Sequence, residues 1–161
     1  MAVLTYGQRK KIESHIRNYH RYMEEVCEWR EMALTGPSRD LNQFKQTQRR
    51  SDPTAAAAIH LTSPPMRIRE MELWAVSVDA VRRRTAGEGM GWLFERWFWR
   101  PPCTVTAAAL AIGVSEKQFY NWLNEIIIQV ALLAAQTGIF IFEEDIADSL
   151  NAAHCANNAE C

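Results

Sequence analysis

The sequence predicts an all-α fold: a helical bundle with a helix-turn-helix toward its C-terminal end and a long N-terminal helix. Three observations carry this prediction. Apolar residues recur at steps of three and four along most of the 161 residues. Proline and glycine are gathered into a few clusters that punctuate those runs. Period-two alternation is missing except in the short GIFIF at 138–142, read as a turn entering a last short helix at 143–150. With 48% hydrophobic residues the chain can bury one core with an appended arm.

Taken in order, Ile12, Ile16, Tyr19, Met23 and Val26 alternate steps of four and three, which marks one coiled-coil-like seam on a helix from Thr5 to Leu34. Such a seam needs a cover, either a second chain or the helix at 65–84. TGPS at 35–38 ends the helix, since glycine suits the C-terminal cap and proline cannot continue the ladder. Residues 36–51 read as a polar loop. A second helix begins at Asp52 and Pro53, a cap followed by a residue that needs no N–H there, and Pro64 and Pro65 interrupt it. The third helix, about 65–84, places Ile68, Met71, Ala75 and Val78 on one face with Trp74 and Val81 beside them. AGEGMG at 86–91 reads as a flexible joint. In GWLFERWFWRPP the aromatic residues Trp92, Phe94, Trp97, Phe98 and Trp99 cannot all share one face, so part of the cluster must enter the core, and Pro101 and Pro102 end its helix. The expected organisation is therefore an N-terminal helix at 1–35, a loop at 36–51, a helical domain at 52–150 and a disordered tail at 151–161.

Several function classes are disfavoured. The first residues, MAVLTYGQRKK, have no signal-peptide core, and the best apolar run, 126–135, is broken by Gln129 and falls short of the roughly 20 residues of a membrane span. A cytoplasmic protein with no membrane partner is expected. Cys27, Cys103, Cys155 and Cys161 lack the close pairing of a metal knuckle, and the four histidines share no helical face with a carboxylate or thiol at ligand spacing. No phosphate-binding glycine loop follows a strand. Neither a cofactor nor an enzymatic activity is expected.

The net charge of −1 hides an asymmetry: residues 1–117 carry 18 basic and 13 acidic side chains, while 118–161 carry six acidic and no basic ones. A positive body with an acidic end approaches a polyanion with one side only, although a mixed solvated surface would give the same counts.

Against that background the segment CTVTAAALAIGVSEKQFYNWLNEI, 103–126, gains weight. A helix-turn-helix needs a small residue where its helices touch, a turn that often uses glycine, and apolar inner positions. Thr104 can cap the first helix, Ala109 is the small contact, Gly113 sits in the turn and Ser115 caps the second helix. Ala108, Ile112, Val114, Phe119 and Trp122 supply inner positions. Facing outward would be Glu116, Lys117, Gln118, Asn121 and Asn124; Gln and Asn can make paired bonds to adenine, Lys can reach guanine or phosphate, and Glu can accept from cytosine. Arg96 and Arg100, and Arg82 to Arg84, could add phosphate contacts, while Thr104, Thr106 and Ser115 complete the candidate DNA-facing set. For the three consecutive arginines the competing reading is a solvated helix end whose cations complement the helix dipole.

SDPTAAAAI at 51–59, the W-x-x-R-P helix end at 97–101 and T-x4-A-x3-G-V-S-x3-F-Y-x-W at 104–122 together resemble the RinA and ArpU type phage transcriptional regulators, whose C-terminal part is similar to the DNA-binding region of sigma factors. The resemblance covers roughly 50–135, and its most specific piece is Phe119-Tyr120-x-Trp122. It implies a regulator of phage late, packaging or lysis genes in a bacterial cytoplasm; on that reading residues 104–124 dock on double-stranded DNA, and the N-terminal helix pairs chains into a homo-oligomer or meets RNA polymerase. The chain departs from that pattern in having Glu116 and Asn121 where arginine is common, and in the Pro64–Pro65 break. Two other classes stay open: a phage packaging adaptor of the small-terminase kind, and a helical protein-interaction module without DNA contact.

Overall fold

A computed structural model describes residues 4–35, 54, 58, 61–100 and 103–142, and these are all-α, with no strand among them. The expected loop at 36–51, the start of the second helix at Asp52 and Pro53, the stop at Pro101 and Pro102, the last helix at 143–150 and the tail at 151–161 lie outside the described residues. Helix α1 spans Tyr6–Arg17, α2 Tyr19–Thr35 and α3 Met66–Thr85. A 3₁₀ turn at Gly89–Gly91 and a π-helical segment at Phe94–Phe98 lead to α4, Val105–Ile112, and α5, Glu116–Gln136. Thr62, the last helical residue before Pro64, donates its hydroxyl to the Ala58 carbonyl at 3.0 Å.

The single N-terminal helix expected over 5–34 is two helices. Thr5 and Gln8 start α1 by a reciprocal capping box, each side chain bonding the other's backbone N–H. It stops at Asn18, whose carboxamide donates to the Ser14 carbonyl at 2.8 Å while its backbone N–H donates to the same oxygen. Asn18 leaves helical geometry at φ −84° and ψ 3°, and its short polar side chain, which bonds a helical carbonyl, suits such an end. The apolar seam is used within the chain: Ile12, Ile16, Tyr19 and Val26 are buried, and Met23 is exposed.

Two compact units divide the chain, residues 20–72 and residues 1–19 with 73–161. In the first, Tyr22, Val26 and Met71 are buried and Arg67–Glu25 and Arg30–Glu72 are paired at the surface. In the second, α5 is the central element: Phe119, Leu123, Ile126, Ile127, Val130, Ala131 and Ala134 are all buried. Ile12 and Ile16 of α1, Val78 and Val81 of α3, and Leu93, Phe94 and Phe98 complete that core. The Trp99 indole N–H donates to the Ile16 carbonyl at 3.0 Å, and the Arg17 guanidinium bonds the carbonyls of Trp97 and Phe98, so the end of α1 holds the end of the π-helical segment. Gly138, at φ +77°, ends α5 and turns the chain so that Phe140 is buried edge-on against Trp74.

In the glycine-rich stretch at 86–91, which is exposed over 86–89, two glycines lie close to their neighbours. A Cβ on Gly91 would lie 2.6 Å from the Thr85 carbonyl oxygen, and one on Gly89 would lie 2.7 Å from the Trp122 ring. These glycines let the backbone approach its neighbours where any side chain would intrude.

Candidate nucleic-acid interface

The geometry of 103–126 follows from four local signals. The Thr104 hydroxyl accepts from the Ala107 N–H at 3.2 Å, and the Ser115 hydroxyl accepts from the Gln118 N–H at 3.2 Å, so each helix starts on its own cap. Gly113 adopts φ +82°, its N–H bonds the Leu110 carbonyl at 3.1 Å, and the Val114 N–H bonds the Ala109 carbonyl at 3.0 Å. That pair of bonds is a Schellman motif, which closes α4 and redirects the chain into α5. Ala108 and Ala109 are buried and Phe119 is fully buried, its ring edge-on to Trp97 at 5.3 Å between centroids. Trp122, assigned to the same inner face by its spacing, is half-buried and lies over Gly89.

The outward-facing candidates fall into three groups. Lys117, Gln118 and Asn121 are exposed, and among the described residues their side chains make no hydrogen bond or ion pair. Glu116 accepts the Thr106 hydroxyl proton at 2.6 Å, which links the first turn of α5 to α4; with Thr104 and Ser115 acting as caps, these four side chains already have structural work. Asn124 is half-buried, and its carboxamide oxygen accepts from the Arg9 guanidinium of α1. Tyr120, which spacing alone left unassigned to the outer face, is 49% exposed and belongs beside Lys117 and Asn121. Its position 100° round the helix from the buried Phe119 was the available signal.

Arg96 and Arg100 line an open groove of about 220 Å³ together with Cys103, Ala107, Ala108 and Ala111. The alanines make one wall shallow, and neither guanidinium is paired with a carboxylate among the described residues. The three consecutive arginines behave differently. Arg82 and Arg83 both pair with Asp79, at 3.0 and 2.7 Å, whereas Arg84 is exposed and forms no ion pair among the described residues. For Arg82 and Arg83 the structure therefore favours the helix-end reading.

Among the described residues no group of His, Cys, Asp and Glu is arranged to hold a metal ion, and no helix is long and apolar enough to cross a membrane. Comparison with protein families, curated proteins and solved structures yields no match to this chain.

Proposed function

We propose that the α4–α5 pair is a helix-turn-helix and that the protein is a DNA-binding transcription regulator of phage or prophage late, packaging or lysis genes. The observation that carries this reading is the set of side chains on the first turns of α5. A hydrogen-bonded turn and two caps fix that helix end, yet Lys117, Gln118 and Asn121 are exposed and unpaired among the described residues. Donor and acceptor groups held on a rigid helix end suit base edges in the major groove. Arg96 and Arg100, across the groove from α4, suit phosphates. RNA polymerase and a second copy of the chain are the protein partners this reading implies, within a bacterial cytoplasm.

A protein-interaction module is the second reading, favoured by one observation. Further along α5 the outward face becomes apolar, with Ile128 37% and Leu132 47% exposed. Gel shifts of the full chain on duplex fragments of the genome that encodes it separate the two. Salt-sensitive binding with preference for particular fragments supports the regulator; a folded protein that binds none of them over a range of salt rejects it.

A further inference from the structure

We infer that Arg9, on α1, is a phosphate contact of the same DNA interface and that Asn124 positions it. The inference rests on the DNA reading above and extends it to an element outside the helical pair. At 100° per residue, Lys117, Asn121 and Asn124 fall within an arc of about 60° on α5. Asn124 thus borders the exposed face that Lys117 and Asn121 occupy, on the side where α1 packs. The Arg9 guanidinium reaches across from α1 and donates to the Asn124 carboxamide oxygen.

The choice of partner is informative. Glu13 lies four residues on from Arg9, the spacing at which a helix forms ion pairs, and Glu125 follows Asn124. Neither forms an ion pair with Arg9; Glu125 accepts instead from the Gln129 carboxamide at 2.8 Å. Arg9 is held by a neutral group, so its direction is fixed while its charge is not neutralised. A guanidinium has five donors, and one is used on Asn124, leaving others for a phosphate. Asn124 is the ninth residue of α5, about 12 Å along the axis from its first residue, Glu116. With the first turns of α5 inserted in the groove, this depth corresponds to the groove's rim, where the sugar-phosphate backbone passes.

The test uses the full-length protein, a duplex from its own genome and fluorescence anisotropy over a salt series. Arg9→Gln is expected to weaken binding to every duplex, roughly eightfold at 0.1 M salt, and to flatten the log–log salt slope by about one unit. Arg9→Lys keeps the charge and is expected to keep the slope. Footprinting of the wild-type chain with an arginine-selective dicarbonyl gives a readout that does not depend on a variant folding: duplex DNA should protect Arg9. An unchanged slope in a folded Arg9→Gln variant, or no protection of Arg9, overturns the inference while wild-type binding leaves the DNA reading in place. Absence of salt-dependent binding by the wild type overturns both.

Discussion

Phe119 and Trp122 illustrate how three residues of separation change a side chain's task. Phe119 has no exposed surface, whereas Trp122 is half-buried over a glycine. Phe119→Ala should therefore cost about 3–5 kcal/mol, and Trp122→Ala less, about 1–3 kcal/mol, because only part of its surface leaves water on folding. Urea denaturation of both variants checks the order; an equal or larger loss at Trp122 would contradict it. His15 stacks on Trp74 with centroids 3.9 Å apart, and burial first, then the nearby Lys11 charge, lowers its pKa from 6.5 to about 4. The folded chain keeps the imidazole neutral while the unfolded chain takes up a proton below about 6.5. Its contribution to stability is complete above that pH and is lost as the pH falls toward 4. Melting temperature should thus drop between pH 7 and pH 5 more steeply in the wild type than in His15→Phe, which keeps a ring on Trp74 but cannot titrate.

At the scale of elements, the two glycine positions that matter do so for opposite reasons. Gly113 has open space around its missing Cβ but a left-handed backbone. Gly113→Ala should cost about 1–2 kcal/mol of backbone strain and leave the packing of α4 on α5 unchanged. At Gly89 the conflict is spatial, since a methyl group would meet the Trp122 ring at 2.7 Å. Gly89→Ala should displace that indole, and the tryptophan fluorescence maximum should shift, while Gly113→Ala leaves it in place. Both the helical pair and its caps were legible in the sequence, because Thr104, Gly113 and Ser115 act on backbone groups within five residues of themselves. The break at Asn18 was not, because the apolar rhythm runs through it from Ile16 to Tyr19 without a change of step. The break is confined to Asn18, whose backbone leaves the helical region at ψ 3°.

For the molecule as a whole, α1 is part of the core that holds the candidate interface. Ile12 and Ile16 are fully buried, Arg17 and Trp99 connect the helix to the π-helical segment, and Arg9 reaches α5. Removing residues 1–18 should abolish the cooperative melt followed by circular dichroism; a shortened chain that still melts cooperatively would show α1 to be an appendage. If the chain binds DNA as proposed, two classes of variant should separate. Replacing Lys117, Gln118 and Asn121 with Ala should relax sequence preference, each good base contact being worth about 1–3 kcal/mol. Replacing Arg96 and Arg100 should weaken binding to all sequences and flatten the salt slope by about one unit per lost contact. Competition with non-specific duplex reads the first effect and a salt titration the second.

The sequence by itself determined the all-α class, the two helices meeting at Gly113 and the burial of Phe119, for these depend on the period of apolar residues and on caps that act over a few residues. It also required part of the aromatic cluster at 92–99 to be buried, since too many rings crowded one short segment, and the structure chose Phe94 and Phe98. Only the tertiary structure decided which polar side chains remain available. Arg82 and Arg83 are held by Asp79, Glu116 by Thr106, and Asn124 by an arginine 115 positions away in sequence, whereas Lys117, Gln118 and Asn121 have no such partner among the described residues. The fold likewise brought Gly89 of the glycine-rich stretch against Trp122, and used most of the N-terminal seam inside the chain. The physical reason is that a side chain's availability is set by the neighbours that packing brings within a few ångströms, whether one helical turn away, as for Arg82 and Arg83, or in a distant part of the chain, as for Asn124.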